Sequence, residues 1–294
     1  MIQYFVQLLK FRLSITVVFS AAIGYLLGFK LFDTNQFILL ILGGFFVTGS
    51  ANCFNQILEA EKDKVMKRTS VRPLPQRKLN KIQAILFGIL TGFLGLYMLN
   101  QINPYGSFYG LLSKSSFFGL ISMFLYVFSY TPLKRVSTIS IFVGAIPGAI
   151  PFLLGYVAAT DDFGLTSGIL FAIQFFWQFP HFISISWLLD DDYKKAGFKM
   201  LFGGKKNSYP VFISILTSIV LLVISMLPYF INIYDAEMSM LILSLVFLLG
   251  IWFIYRSYTL LINLDDINAK KLMLASIIYL PALQILYVID RFVF

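Results

Sequence analysis

Three side chains that carry oxygen ligands recur every four residues at one end of an apolar segment. They are Asn55, Glu59 and Asp63. On a helix each step of four residues turns by only about 40° and rises about 6 Å, so the three would form one ridge. Arg68 and Arg72 follow directly. Carboxylates can hold Mg²⁺ while nearby cations neutralise phosphate oxygens, so the pattern suits a diphosphate. The alternative is a solvated, positively charged loop between two membrane spans, and this segment alone does not decide between them.

A second acidic group follows a later apolar segment. It runs from Asp190 to Asp192 and precedes Tyr193. An isolated acidic triplet is more often a helix-end loop, but these carboxylates are predicted to face the same compartment as Asp63. We therefore predict a second metal site formed by Asp191 and Asp192.

A third candidate segment is YTPLKR, from Tyr130 to Arg135, at the end of another apolar stretch. A proline followed by two cations can be a simple stop signal with positively charged flanks. Beside the ridge, at the same membrane face, Lys134 and Arg135 become candidates for phosphate contacts.

Gln178 and His181 lie about one helical turn apart around Pro180, inside a long apolar stretch, and His181 is the only histidine of the chain. Polar groups inside a membrane span are costly and tend to be functional. We predict that both side chains contact substrate. The alternative is a structural histidine that bonds a carbonyl freed by Pro180.

The composition shows which elements must position these residues. The chain has 294 residues, of which 59% are hydrophobic and 13% charged, and its mean hydropathy is +0.82. Soluble domains have about 25% charged residues, so a polytopic membrane protein is predicted. We expect one all-α domain over residues 1–294, with nine transmembrane helices at residues 14–32, 36–57, 81–99, 108–130, 138–159, 166–188, 209–231, 239–261 and 272–290.

The net charge of +9 follows the loops. Most of the 23 Lys and Arg residues fall on one side of the predicted spans, so the positive-inside rule places the N-terminus in the cytoplasm and the C-terminus outside. We therefore expect no nucleic-acid partner. Cys53, the single cysteine, rules out an intramolecular disulfide. No cleavable signal or Arg/Ser-rich transit segment precedes residue 14, which favours a bacterial inner membrane.

Several motifs between about Lys10 and Leu201 resemble a known family. They are NQxxExxxDxxMxRTxxRPLP, YTPLKR, GAxPGAxP, and WQxPHF followed by DY and AGxxML. Together they resemble the UbiA superfamily of intramembrane prenyltransferases, and within it the branch that farnesylates haem. The most specific parts are MxRTxxRPLP and WQxPHF.

The resemblance implies a UbiA-type helix bundle in the lipid bilayer, farnesyl diphosphate as donor, haem B as acceptor and Mg²⁺ as cofactor. In the implied reaction the diphosphate departs, a haem vinyl group attacks the farnesyl cation, and water captures the product cation to give haem O. Handover of that product to a haem A synthase is implied by the family alone.

The resemblance also assigns residues. It places the diphosphate and Mg²⁺ contacts on Asn55, Glu59, Asp63, Lys134 and Arg135. The second superfamily motif, a pair of Asp four residues apart, is missing here because Asp191 is followed by Lys195, whereas Asp192 before Tyr193 matches the haem branch. The expected substrate-pocket residues are Tyr130, Gln178, His181 and Tyr193.

Two alternatives stay open at this point. Another UbiA-type enzyme could prenylate an aromatic quinone precursor, although the missing second Asp pair and WQFPHF argue against it. A membrane transporter would also use kinked helices and intramembrane polar groups. The charges, however, gather at one membrane surface instead of the midplane.

Overall fold

A computed structural model describes residues 1–104, 111–231 and 238–293. Over these residues the chain is all-α, with nine helical segments long and apolar enough to cross a membrane. They are α2 (Phe11–Gly28), α3 (Thr34–Asp63), α4 (Lys81–Asn100), the segment Lys114–Leu133, α7 (Ser140–Thr160), α8 (Leu165–Leu188), α10 (Ser208–Ile231), α11 (Met240–Asn263) and α12 (Asp266–Val293). The predicted class, a multi-pass helical membrane protein, is confirmed.

Shorter elements complete the described chain. A short helix α1 (Ile2–Leu8) precedes α2, and α9 (Asp190–Lys195) follows α8. The fourth span consists of α5 (Lys114–Phe124), a π-helical segment (Leu125–Tyr130) and the single turn α6 (Thr131–Leu133). Residues 108–110, with which we predicted that this span would begin, lie outside the described residues.

The ends of two spans differ from the predicted ones for local reasons. The first span stops at Gly28 rather than residue 32, and Asp33 then caps α3 by accepting hydrogen bonds from the Asn35 and Gln36 backbone N–H groups. Helix α3 continues to Asp63, six residues beyond the predicted end. The prediction followed apolarity, whereas the polar sequence LEAEKD contains mostly good helix formers.

Close helix contacts depend on small residues, as expected in membranes. A side chain at Gly155 of α7 would overlap the Ala21 carbonyl of α2, and one at Gly24 would overlap the Phe152 carbonyl in return. Gly95 of α4 meets the α3 backbone in the same way. Large apolar side chains are meanwhile exposed on the outer helix faces, which suits contact with lipid.

Helix α7 contains two prolines and is held by neighbouring polar side chains. Pro151 has no N–H to donate to the Pro147 carbonyl, and Ser122 Oγ donates to that oxygen at 3.1 Å. Gln174 Nε2 donates to the Gly148 carbonyl at 2.9 Å. The Pro147 carbonyl, which cannot be satisfied within its own helix, is therefore satisfied by α5, and Gln174 adds a hydrogen bond from α8.

The Gly155 contact gives a stability prediction. We expect Gly155→Ala to lower the free energy of unfolding by about 1–3 kcal/mol, because the added methyl group meets rigid backbone rather than a movable side chain. Gly168→Ala is the matched control, since nothing lies within 4 Å of a side chain at Gly168. Thermal unfolding in one detergent would compare them, and equal Tm values for both variants would contradict the close α2–α7 contact.

Candidate active site

The ridge predicted on α3 is present and faces the protein interior. Asn55, Glu59 and Asp63 are only 2%, 4% and 0% exposed. Neighbouring Glu61, on another face of the helix, is exposed and pairs with Lys64. Burial therefore separates the three ridge residues from the ordinary surface acids of the same helix.

Glu59 pairs with a cation from the turn after the fourth span. Lys134 Nζ donates to Glu59 Oε1 at 2.7 Å, and both side chains are buried. Lys134 Nζ also lies 4.5 Å from the centre of the Tyr130 ring. Burial by itself would lower the pKa of Lys134, but the Glu59 carboxylate more than offsets this and holds that pKa above its usual range. This lysine is a buried, fully charged group.

Asp63 pairs with the loop that follows α3. Arg72 Nη1 donates to Asp63 Oδ2 at 2.7 Å, and Thr69 Oγ1 donates to the Asp63 backbone carbonyl at 3.0 Å. The other carboxylate oxygen, Oδ1, is buried and has no hydrogen-bond partner among the described residues. Leaving a buried carboxylate oxygen without a partner is costly, so a ligand that contacts this atom would be stabilising.

Lys10 is a site residue that sequence reasoning missed. Its Nζ donates to Asn55 Oδ1 at 3.3 Å, and Asn55 Nδ2 donates to Thr131 Oγ1 at 3.2 Å. The Lys10 backbone has φ 47°, in the left-handed region, and this break separates α1 from α2. Burial, with the Arg72 and Lys134 charges, lowers the pKa of Lys10 to about 7. In the sequence Lys10 is only a basic residue before the first span, and the positive-inside rule already accounts for a basic residue there.

The three residues of the second acidic group, Asp190 to Asp192, lie in different environments. Asp192 Oδ2 accepts a long hydrogen bond of 3.4 Å from the Arg68 backbone N–H, which links α9 to the loop after α3. Asp190 is buried and pairs with Lys194 at 2.6 Å, whereas Asp191 is exposed. Of the two predicted ligands, only Asp192 is thus hydrogen-bonded to the first loop. No three His, Cys, Asp or Glu side chains converge on a single metal position within the described ranges.

The remaining predicted cations lie nearer the surface. Arg68 is exposed, and Arg135 is exposed with its Nη2 donating to the Leu58 backbone carbonyl at 2.9 Å. Tyr193 packs beside Phe198, with ring centres 6.3 Å apart, in the apolar cluster that also contains Tyr130. Lys134 Nζ therefore lies over the rings of Tyr130 and Phe198.

Gln178 and His181 face different helices. Gln178 Nε2 donates to the Ala145 carbonyl of α7 at 2.9 Å and to the Gln174 carbonyl at 3.1 Å, so it holds the two helices together. His181 Nδ1 lies 2.8 Å from Ser276 Oγ on α12. The hydrogen bond of the imidazole is thus to a hydroxyl, not to a carbonyl freed by Pro180.

A cavity of about 590 Å³ opens beside the ridge, between α1 and the loop that carries Arg72. Its polar lining residues are Gln3, Gln7, Lys10, Arg12, Gln56 and Arg72. Lys10 and Arg72 also contact ridge residues, so the cavity borders the charged cluster formed by Lys10, Asn55, Glu59, Asp63, Arg72 and Lys134.

Comparison with known proteins assigns the family. Residues 17–278 match the model of the UbiA prenyltransferase family. The chain therefore belongs to the UbiA prenyltransferase family. A relative from Flavobacterium psychrophilum, named protoheme IX farnesyltransferase, is 42% identical over 294 residues, which cover 98% of this chain and 94% of the relative.

Solved structures agree on the fold. A digeranylgeranylglyceryl phosphate synthase structure superposes with a TM-score of 0.80 at 22% identity and covers 98% of both chains. A UbiA homologue from Archaeoglobus fulgidus, bound to DMAPP and Mg²⁺, superposes with a TM-score of 0.68 at 15% identity, covering 97% of this chain and 98% of that one. At these identities the likeness concerns the fold alone.

The buried pair gives a testable stability effect. We expect Lys134→Met to destabilise the ligand-free protein by about 3–5 kcal/mol, because Glu59 is left buried without its cation. The double variant Glu59→Gln/Lys134→Met should recover most of this loss. Lys64→Met removes an exposed lysine from its surface pair with exposed Glu61 and serves as the control with little expected change. Thermal unfolding that shows Lys134→Met to be as mild as Lys64→Met would contradict the buried pair.

Proposed function

We propose that this chain transfers the farnesyl group of farnesyl diphosphate to a vinyl group of haem B, with addition of water, to give haem O. The observation that carries the proposal is the charged cluster: a buried ridge of oxygen ligands, each in contact with a cation, in a chain closely similar to protoheme IX farnesyltransferase. The protein acts as one integral-membrane domain over residues 1–294.

Mg²⁺ is the proposed cofactor, and the residues fit it. Asp63 Oδ1 is a buried oxygen without a hydrogen-bond partner among the described residues. Mg²⁺ is usually bound by one or two carboxylates together with substrate phosphates and water, so three convergent acids are not needed. The residues that would hold it are Asn55, Glu59, Asp63, Asp191 and Asp192. When bound, the ion neutralises charge on the departing diphosphate. The metal and diphosphate in the A. fulgidus homologue support this assignment for the family.

The cations bind the diphosphate. In the structure Lys134 and Arg72 pair with Glu59 and Asp63. An incoming diphosphate would take hydrogen bonds from these cations while the carboxylates turn to the metal, so each buried charge keeps a partner in both states. The proposed diphosphate contacts are Lys10, Arg68, Arg72, Lys134 and Arg135.

The reaction is a farnesyl transfer through a carbocation. The C–O bond of farnesyl diphosphate breaks and releases diphosphate, a vinyl carbon of haem B forms the new C–C bond, and water adds to the resulting cation with loss of a proton. Tyr126, Tyr130, Tyr193 and Phe198 supply ring faces next to Lys134. Such rings stabilise a cation and exclude water until the bond has formed.

Product analysis tests the proposal. Purified protein in lipid, given haem B, farnesyl diphosphate and Mg²⁺, should yield haem that has gained farnesyl and water by mass spectrometry. Asp63→Asn should lower the rate by about 10²-fold or more, as expected when charge stabilisation is lost. Glu61→Gln, an exposed carboxylate on the same helix, is the matched control and should keep the wild-type rate.

The other outcomes of this assay distinguish the alternatives. Prenylation of 4-hydroxybenzoate or a naphthoate without any haem product would move the protein to the quinone branch. No product with any acceptor, together with passage of farnesyl diphosphate across the membrane, would favour a transporter. Chelation of Mg²⁺ should abolish product formation if the proposed metal site is right.

The proposed orientation places the N-terminus and the charged cluster at the cytoplasmic face of a bacterial inner membrane, with the C-terminus outside. The basic loop after α3 favours this side. Haem O would then be released into the bilayer for a haem A synthase.

Cysteine labelling tests the orientation. Val71 is 72% exposed in the loop after α3, and Leu31 is 91% exposed at the opposite end of that helix. In intact cells an impermeant maleimide should label Leu31→Cys but reach Val71→Cys only after lysis. Native Cys53 is buried and provides the unlabelled background. The reverse pattern would place the charged cluster outside.

A further inference from the structure

Two glycines of α7 lie in the segment GAIPGAIP, residues 144–151, which carries no polar side chain. The helix packs against the π-helical segment Leu125–Tyr130 and against α8, and both of these contribute residues to the site. Gly144 and Gly148 are four residues apart, so they lie on one face of the helix, one turn from each other. Each is in close contact with a different residue that was predicted for the substrate pocket, Tyr130 or Gln178.

Gly144 leaves room for the ring of Tyr130. A Cβ atom added at Gly144 would lie 2.5 Å from Cδ2 and 2.7 Å from Cε2 of that ring, closer than such atoms approach in proteins. Tyr130 is buried in the cluster that contains Met66 and Phe198, so its ring is not free to move aside. The ring can therefore occupy its place only because residue 144 has no side chain.

The same ring contacts a cation of the charged cluster. Lys134 Nζ lies 4.5 Å from the centre of the Tyr130 ring and donates to Glu59 Oε1 at 2.7 Å. A cation is attracted to the face of an aromatic ring, most strongly where water is excluded. A continuous series of contacts thus runs from the α7 backbone at Gly144 through Tyr130 to Lys134.

Gly148 makes a contact of a different kind one turn further along. A Cβ atom there would lie 2.0 Å from Gln178 Oε1. The amide of Gln178 donates to the Ala145 carbonyl at 2.9 Å, which joins α7 and α8. Gly148 therefore serves the packing of two helices, whereas Gly144 contacts a ring that also contacts a proposed diphosphate ligand.

We propose that Gly144 is a positioning residue for Lys134 and acts through Tyr130. It holds the ring where Lys134 Nζ can leave Glu59 and bind the diphosphate, and where the ring face is presented to the farnesyl cation. The proposal rests on the function proposed above and deepens it, because it extends the diphosphate site to α7. A methyl group at residue 144 would displace the ring by roughly 1 Å, and a misplacement of this size can lower a rate about 10²-fold.

A double-mutant cycle on the rate tests the contact. Gly144→Ala should lower kcat/KM for farnesyl diphosphate by about 10- to 100-fold, because the methyl group displaces the ring. Tyr130→Leu replaces the ring by a smaller, flexible side chain, so in that background Gly144→Ala should cost no more than about 2-fold. The measurement is steady-state formation of farnesylated haem in nanodiscs, at matched amounts of folded protein. Equal losses in both backgrounds would overturn the inference.

Diphosphate binding without haem separates positioning from helix packing. By calorimetry, inorganic diphosphate with Mg²⁺ should bind Gly144→Ala about 10-fold more weakly than the wild type, since Lys134 Nζ is displaced. Gly148→Ala is the matched control: the same added methyl group meets Gln178 instead, so Tm should fall while the diphosphate affinity keeps its wild-type value. Unchanged diphosphate affinity in folded Gly144→Ala protein would make Gly144 a packing residue only and overturn the inference.

Tyr130→Leu tests the same link without any overlap at residue 144, and so does not depend on whether Gly144→Ala folds. Lys134 Nζ loses its contact with the ring, so diphosphate binding should weaken by about 10-fold here too. Wild-type affinity in Tyr130→Leu would show that the ring does not position Lys134 and would likewise overturn the inference. Wild-type protein that binds diphosphate with Mg²⁺ but farnesylates no haem would instead overturn the proposed function.

Discussion

The structure depends on one electrostatic constraint: charges inside an apolar bundle must have partners. Glu59 and Asp63 are nearly inaccessible, and each is paired at 2.7 Å with a cation from a different part of the chain. Because an isolated buried charge costs several kcal/mol, these pairs also determine where two loops must fold. Lys134 holds the turn after the fourth span against α3. Arg72 holds the loop that follows α3 across the C-terminal end of that helix. The same charges that would bind substrate thus organise this end of the helix bundle.

Irregular backbone occurs at two places beside these charged residues. A π-helical segment interrupts the α-helical turns of the fourth span just before Lys134, which contacts Glu59 of α3, and π-type turns are often found at functional sites. The left-handed residue Lys10 breaks α1 from α2 beside Asn55. Such backbone costs about 1–3 kcal/mol, and it persists here at a residue whose side chain reaches the ridge.

The four-residue periodicity of the sequence predicted the ridge, but it did not predict which cations pair with the ridge residues. Four-residue spacing placed Asn55, Glu59 and Asp63 on one face, because a straight helix preserves that relation regardless of its neighbours. Nine spans were predicted from apolar runs, and nine helical segments of that kind are found over the described residues. The roles of the individual side chains stay predictions.

Which cation meets which acid depends on tertiary geometry that one sequence does not encode locally. Arg135 and Lys134 are adjacent, yet only Lys134 reaches Glu59 while Arg135 donates to the Leu58 carbonyl. Gln178 was predicted to contact substrate, but its amide donates to carbonyls of α7 and α8. Lys10 was indistinguishable from the basic residues that any cytoplasmic flank contains. Ser276 lies in a region where the motifs are weak, and its contact with His181 is seen only in the folded chain.

Helix α8 shows how a single span can meet three requirements at once. Gln178 faces α7, Phe179 and Phe182 pack in the aromatic cluster, and His181 contacts α12. A helix turns by about 100° per residue, so consecutive polar and aromatic positions necessarily point to different neighbours. This explains why the WQFPHF segment is dense in large and polar side chains where most spans carry simple aliphatics. The proposed diphosphate site instead lies at helix ends, where water can solvate the substrate as it arrives. In the proposed reaction the charged leaving group would stay at the membrane surface while the apolar farnesyl chain and the acceptor occupy the bundle.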